Sequence, residues 1–181
     1  MAKLVSKTYA QALFELAVEE NKTAPFMEEA AGLLEVIRTN VEFGQFMNHP
    51  KIQKEDKIEV VKNVFENQIS KELVGFLVTI VEKDRYTEIE DILGEFIAAI
   101  KEYNNIGTAY VTTAIALENK EKQDIESRLL ATTKYETIEC VYHVDESLIG
   151  GMVIKMGDRV VDSSIRTKLD KLQRELLAIQ L

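Results

Sequence analysis

The stretch VDESLIGGMVIKMGDRVVDSS, residues 144–164, contains the local signals that decide the fold. Gly157-Asp158 separates two short apolar runs, and a two-residue loop of this kind favours a type II′ hairpin turn. Gly150-Gly151, just before the first run, predicts a bulge or a close approach of two backbones. The stretch ends with three residues that can cap a helix N-terminus: Asp162, Ser163 and Ser164. It therefore predicts a β-hairpin that leads directly into a helix.

The residues before this stretch divide into two kinds of pattern. Apolar spacing predicts six helices, at 4–20, 25–39, 41–47, 55–67, 70–82 and 87–103, with Thr23 and Ser70 as candidate caps. Short loops between consecutive helices are typical of a small helical bundle. Asn104-Asn105-Ile106-Gly107 then interrupts the helical period, because Asn and Gly end helices. We place a domain boundary here.

The second part alternates between strand and helix patterns. We expect a strand at 110–117, a helix at 119–134, a strand at 137–144, the hairpin, and a last helix at 165–181. The second strand alternates, with inward positions Ile138, Cys140, Tyr142 and Val144. The last helix carries an apolar stripe that most simply covers the small sheet: Ile165, Leu169, Leu172, Leu176 and Ile179. The predicted fold is α+β with two domains, a six-helix bundle at 1–105 and a small α/β domain at 106–181 with a β-hairpin and a terminal helix.

Composition excludes several classes of protein. The chain of 181 residues has 31 acidic and 22 basic side chains, a net charge of −9, whereas a general nucleic-acid binder needs a basic surface. Cys140 is the single cysteine, so an intrachain disulfide and a cysteine-type zinc site are excluded, and a buried apolar role is expected for it. No apolar run is long enough to span a membrane, and the first residues lack a signal or transit pattern. We expect a bacterial cytoplasmic protein.

No group of residues in the sequence has the pattern of an active site. His49 precedes Pro50 in a loop, and His143 lies on the polar side of a strand, so surface or structural roles are expected. Gly150-Gly151 is not followed by Lys and Ser or Thr, so it is not a phosphate-binding loop. Turn and capping roles account for Asp145 and Asp162. We therefore predict no catalytic residue, no cofactor and no metal.

Two predicted helices are apolar on more than one side. In residues 4–18, 10 of 15 residues are apolar, and in 73–81 only Gly75 and Thr79 are not large and apolar. A helix of this kind needs partners on more than one face. Either it is enclosed at the centre of the bundle, or the two helices flank a groove that accepts a helix of another chain.

The C-terminal stretch resembles the signature of the delta subunits of F-type ATP synthases, a family that includes the mitochondrial oligomycin sensitivity-conferring protein. The matching positions are Asp145, Ser147, Leu148, Ile149, Gly150, Gly151, Gly157, Asp162 and Ser164, while Ser163 stands where the family usually has Gly. Weaker similarity covers Tyr9-Ala10, Ala12-Leu13, Ala17, Phe46, Pro50, Ile52, Lys57, Phe76-Leu77, Glu82, Arg85, Thr113-Ala114 and Leu117.

The resemblance implies a non-catalytic stator subunit that joins the peripheral stalk to the catalytic head and supports ATP synthesis coupled to proton or sodium transport. The first and fifth helices would receive the N-terminal helix of an alpha subunit, at Tyr9, Ala12, Leu13, Leu16, Phe76, Leu77 and Ile80. The C-terminal domain would meet the C-terminal ends of the b subunits. Other head subunits would also be partners, and no nucleic acid or direct membrane insertion is implied. The location would be the cytoplasmic face of the cell membrane.

Two other functions stay open at the level of sequence. The chain could be a free-standing adaptor or regulator that binds an amphipathic helix of an unrelated partner. It could also be a small enzyme that uses the glycine-pair loop, for which a polar pocket near Gly150 would be required.

Overall fold

The structure is a computed structural model that describes residues 2–179, with the surroundings of side chains 5–178. The chain divides into two compact units, Met1–Ile100 and Lys101–Leu181. This division lies inside a helix, a little before the boundary predicted after residue 105. The described residues form eight α-helices and one four-stranded sheet, which is an α+β fold.

The first unit is helical. Its α-helices are α1 (Ala2–Glu19), α2 (Thr23–Thr39), α3 (Val41–Asn48), α4 (Lys54–Phe65), α5 (Lys71–Glu82) and α6 (Ile89–Tyr103), with a 3-10 helix at Tyr86–Glu88 before α6. Each helix contributes apolar side chains to one shared core, in which Phe26 and Phe96 are the largest fully buried residues. The core forms because residues three and four apart lie on one helix face.

Two predicted helix caps differ from the structure. Thr23 is the first residue of α2, not its cap, and Lys22 occupies the cap position without a side-chain hydrogen bond. Ser70 precedes α5 as predicted, but its hydroxyl is buried without a hydrogen-bond partner among the described atoms. The Ser70 amide instead donates to Glu29 Oε2 of α2 at 2.8 Å. A tertiary hydrogen bond therefore joins the start of α5 to α2.

The second unit contains a mixed sheet. Its further elements are β1 (Ile106–Thr113), α7 (Asn119–Thr132), β2 (Thr137–Val144), a 3-10 helix at Glu146–Leu148, β3 (Met152–Met156), β4 (Arg159–Asp162) and α8 (Ile165–Ile179). The strand order is β2-β1-β3-β4, with β1 parallel to β2 and the other pairs antiparallel. The parallel pair is joined through α7, as a crossover connection requires.

The first strand begins four residues earlier than the sequence predicted. The helix α6 ends at Tyr103, Asn105 adopts a left-handed φ of 55°, and β1 starts at Ile106. Gly107 lies within the strand, at a position where the Tyr135 ring leaves no room for a side chain: a Cβ there would be 2.5 Å from Tyr135 Cδ2. Residues 104–105 are therefore a tight turn that leads directly from α6 into β1.

The predicted alternation of β2 is confirmed for Ile138, Cys140 and Tyr142, which are partly buried. Tyr142 also joins β2 to α7, since its hydroxyl donates to Glu126 Oε1 at 3.2 Å. The prediction for Val144 is wrong, because this last residue of an edge strand is 45% exposed. The hairpin prediction is confirmed: Met156 pairs with Arg159 across the two-residue loop, and Gly157 has a φ of 55°.

Candidate docking surfaces

The residues predicted to bind a partner helix on α1 and α5 divide into core and surface. Leu13, Leu77 and Ile80 are at most 2% exposed, so the structure places them in the core of the first unit. Tyr9, Leu16 and Phe76 are partly buried and pack against that core, and Ala12 is exposed. Four of the seven predicted residues therefore remain accessible to another chain.

The exposed side of α5 is narrow and carries small residues. Gly75 and Thr79, the two residues that interrupt its apolar sequence, are both exposed. A Cβ at Gly75 would meet nothing within 4 Å, so this glycine has no packing role among the described residues. Small residues on a helix surface let another backbone approach closely.

The end of α1 lies close to the start of α5. Lys22 Nζ is 3.1 Å from Glu20 Oε2, just after α1, and 3.3 Å from Glu72 Oε1 in the first turn of α5. Both partners raise the pKa of Lys22 through hydrogen bonding, the contribution of Glu20 being the larger. Exposed ion pairs add little stability. The contact between Lys22 and Glu72 is informative because it shows that the end of α1 lies close to the start of α5.

Arg85, one of the positions of weaker family similarity in the first unit, makes contacts within the chain. Its amide donates to the Ile80 carbonyl at 2.9 Å, which helps to end α5. Its guanidinium lies 3.2 Å from Glu88 Oε1 within the following 3-10 helix. These contacts fix the path from α5 to α6.

The motif of the second unit builds a compact turn at the start of α8. Asp145 Oδ1 accepts a hydrogen bond from the Ser147 amide at 2.9 Å, and the Ser147 hydroxyl and amide lower the pKa of Asp145. Leu148 is buried. Gly151 has a φ of 77°, and a Cβ on it would lie 2.5 Å from the Ser163 carbonyl oxygen. The predicted close approach of two backbones is therefore confirmed.

Ser164 is the cap of α8. Its Oγ accepts from the Thr167 amide at 3.2 Å, and its own amide donates to Asp162 Oδ1 at 2.8 Å. Thr167, which sequence reasoning missed, also donates its hydroxyl to Asp162 Oδ2 at 2.8 Å. Hydrogen bonds from Ser164 and then from Thr167 hold the pKa of Asp162 below its ordinary value. A Ser-x-x-Thr spacing at the predicted helix start was the available signal.

The apolar stripe of α8 does not cover the sheet, so that prediction is wrong. Every described side chain from 165 to 178 is exposed, and the exposed fractions of the described stripe residues range from 42% at Ile165 to 66% at Leu176. The side chain of Ile179, the last residue of the predicted stripe, lies outside the described residues. Leu169, Leu172, Leu176 and Leu177 form a continuous apolar surface along the helix. The helix packs against the 3-10 helix at Glu146–Leu148. Its remaining apolar face is thus open to a partner.

Basic side chains outnumber acidic ones on α8. Residues 165–179 contain four basic side chains, Arg166, Lys168, Lys171 and Arg174, and two acidic ones, Asp170 and Glu175. The segment carries a local charge of +2 in a chain whose net charge is −9. A helix with an excess of basic side chains complements a partner helix with an excess of acidic ones.

The described residues contain no cluster of His, Cys, Asp and Glu able to hold a metal ion. The His49 ring accepts a hydrogen bond from the Lys51 amide at 3.2 Å and so stabilises its loop. Burial raises the pKa of the Cys140 thiol, which disfavours the reactive thiolate. None of the described helices has the length and apolar content needed to cross a membrane.

Comparison with known proteins identifies the family. The family described as ATP synthase delta (OSCP) subunit matches residues 5–176. The chain belongs to this family. An ATP synthase subunit delta of Lachnoclostridium phytofermentans is 49% identical over the full length of both chains. One of Alkaliphilus oremlandii is 34% identical over 99% of each. The resemblance stated from the C-terminal motif is therefore confirmed.

A solved structure has the same fold. A chain in the cryo-EM structure of the Toxoplasma gondii mitochondrial ATP synthase hexamer aligns with a TM-score of 0.78, over 95% of this chain and 97% of that one, at 19% identity. Family membership makes this chain a non-catalytic component of the peripheral stalk of F-type ATP synthase, a peripheral part of a membrane-bound complex.

Proposed function

We propose that this chain holds the catalytic head of the ATP synthase to its peripheral stalk, with one unit for each partner. The first unit, as a six-helix bundle of the family type, binds the N-terminal helix of an alpha subunit. The second unit binds the C-terminal ends of the b subunits. Other head subunits also contact the chain. The chain resists the torque of the rotor at the cytoplasmic face of the cell membrane.

The observation that carries this proposal is the open apolar face of α8. Four leucines between 51% and 66% exposed on one helix would be costly to leave in water, since burying a Leu side chain is worth roughly 1.5–3 kcal/mol. A peripheral-stalk subunit has a helical partner available for such a face. The excess of basic side chains on α8 favours an acidic helix as the partner.

Support for the head side comes from the surface of α1 and α5. Ala12 and Gly75 are small and exposed, and the partly buried Tyr9, Leu16 and Phe76 belong to the same two helices. We assign the contact with the alpha-subunit helix to these residues. Leu13, Leu77 and Ile80 support the surface from the core beneath it.

The head contact is tested with Gly75→Arg. Open space surrounds Gly75, so the bundle should fold, and replacing an exposed helical Gly should stabilise the helix by up to about 1 kcal/mol. The bulky charge should abolish binding of an alpha-subunit N-terminal peptide, measured by calorimetry on the full chain. Gly32→Arg is the matched control, because Gly32 is an exposed mid-helix glycine on α2 that also has nothing within 4 Å. Equal binding by both variants would contradict this head contact.

The tether itself is tested in membranes depleted of this chain and of the head. Adding heads with the wild-type chain should return ATPase activity to the membrane pellet and restore ATP-driven ion transport. Without the chain, heads should stay in the supernatant and hydrolyse ATP at nearly unchanged turnover. A strong fall in the turnover of soluble heads on omission of the chain would contradict a mechanical role.

A further inference from the structure

The first turn of α8 is fastened to the preceding glycine turn by backbone contacts. The Ile165 amide donates to the Gly150 carbonyl at 2.9 Å. The Ser163 amide and hydroxyl both donate to the Met152 carbonyl, each at 2.9 Å. Gly151 allows the two backbone segments to approach this closely, since any Cβ there would collide with the Ser163 carbonyl. The start of the helix is thus held against the start of β3.

Asp162 adds a second fastening from the end of β4. One carboxylate oxygen accepts from the Ser164 amide and the other from the Thr167 hydroxyl, both at 2.8 Å. Ser164, which is 1% exposed, closes the turn by accepting from the Thr167 amide. Arg166 Nη1 donates to Ser147 Oγ at 3.0 Å on the 3-10 helix. The first turn is therefore bonded to three different segments of the second unit.

The rest of α8 lacks comparable attachment. All described side chains from 168 to 178 are exposed, and the ion pair seen there, Lys171 to Glu175, lies within the helix itself. An apolar helix end with no fixed direction would be expected to fold back onto neighbouring apolar surface. The sheet offers such surface, because Val160 and Val161 of β4 are about 60% exposed. The helix nevertheless projects with its stripe open.

We infer that Asp162, Ser164 and Gly151 are positioning residues that aim α8, so that its apolar face is presented to a partner in a preformed direction. A helix that is fixed before binding avoids the cost of ordering during binding. The identity of the partner rests on the proposed function, but the direction of α8 does not depend on it. The motif of residues 145–164 therefore sets the direction of α8 as well as the shape of the turn before it.

The direction of α8 can be measured by pulsed electron paramagnetic resonance on the full chain. One spin-label pair, at Lys155 and Arg174, reports the direction of α8 relative to the sheet. A second pair, at Lys120 and Lys155, reports the position of α7 relative to the sheet and serves as an internal control. All three labelled positions are exposed, and Cys140→Ala removes the native thiol. The test variant is Asp162→Ala, and Asp158→Ala removes an exposed carboxylate from the turn of the same hairpin as a matched control.

The wild-type chain should give one narrow distance distribution for the α8 pair, unchanged in Asp158→Ala. Asp162→Ala should lose that narrow peak while the α7 pair stays narrow, and Asp162→Asn should recover it in part because its amide oxygen still accepts from Ser164. A broad α8 distribution in the wild type would overturn the inference, as would an unchanged peak in Asp162→Ala. Broadening of both pairs in Asp162→Ala would also overturn it, by showing that Asp162 holds the sheet. A narrow α8 peak in a chain that fails to bind stalk subunits would leave the inference standing and contradict the proposed function.

Discussion

Helices α5 and α8 are both rich in large apolar residues, yet they have opposite surroundings. In α5, five of these residues are buried by the first unit, each at most 8% exposed. In α8, none of the described side chains is buried, and the stripe from Ile165 to Leu177 is about half exposed. One helix completes a core within this chain, whereas the other presents an equivalent face to solvent.

The difference shows what an amphipathic pattern does and does not determine. Apolar residues three and four apart predict that one helix face will be covered. The pattern does not determine whether the residues that cover this face belong to the same chain or to a partner. For α8 the distinction came from the turn before it, where Asp162, Ser164 and Gly151 set the direction of the helix independently of its apolar stripe.

The largest effects should come from truncating matched leucines in the two helices. Leu77→Ala in α5 should destabilise the first unit by about 3 kcal/mol, because it leaves a cavity in a packed core. Leu172→Ala in α8 should change the stability of the free chain by about 0.5 kcal/mol or less, as for other exposed positions. Denaturant unfolding followed by residue-resolved hydrogen exchange separates the two units. A similar cost for both variants would mean that α8 is packed within the chain.

The next effect concerns the two glycines with left-handed φ. Gly151→Ala should destabilise the second unit by about 2 kcal/mol, since it combines backbone strain with a collision against the Ser163 carbonyl. Gly157→Ala should cost about 1 kcal/mol, because its φ is also left-handed but open space surrounds it. Thermal unfolding of the two variants checks the order. A reversed order would show that the close approach at Gly151 is unimportant.

A smaller effect, of opposite sign, is expected at Ile149. This β-branched residue has a φ of 67° and is 63% exposed, so it is strained and loses little burial when replaced. Ile149→Gly should stabilise the second unit by about 1 kcal/mol, because glycine adopts a positive φ without the steric cost of a Cβ. Chemical denaturation of the full chain measures the change. Destabilisation would indicate that the Ile side chain supports the turn.

The smallest effect is the pH dependence contributed by Asp162. Its pKa is lower in the folded chain than in the unfolded chain, so its contribution to stability is complete above the ordinary aspartate pKa of about 4. That contribution is lost as the pH falls through the folded-state pKa. Asp162→Asn should therefore weaken the decline in stability below about pH 4, relative to the wild type. If the stability of the two proteins declined identically below about pH 4, the capping role of the Asp162 carboxylate would be contradicted.

Much of the fold followed from local signals. The hairpin around Gly157, the limits of β2 and the placement of six α-helices in the first hundred residues depend on short-range spacing, which a sequence displays directly. The start of β1 was missed because Asn105 turns the chain within one residue and Gly107 continues as a strand beneath Tyr135. That contact joins residues far apart in sequence, so local propensity gives no sign of it.

The candidate surfaces were predicted less completely, for a physical reason. Leu13 and Leu16 have similar side chains one turn apart on α1, yet only Leu13 is buried, because burial depends on how neighbouring helices pack. The same limitation led to the wrong expectation that the stripe of α8 covers the sheet. Family resemblance supplied the function, and the structure supplied the surfaces that remain available for it.

The measurement that tests the account most directly is the affinity of the full chain for the C-terminal segment of a stalk b subunit, determined by calorimetry. Leu172→Glu should weaken binding at least tenfold, about 1.4 kcal/mol, while the stability of the free chain stays unchanged. Leu130→Glu, at an exposed leucine of α7, is the matched control and should bind like the wild type. Equal affinity of Leu172→Glu, Leu130→Glu and the wild-type chain would contradict the claim that the open face of α8 is the stalk-binding surface.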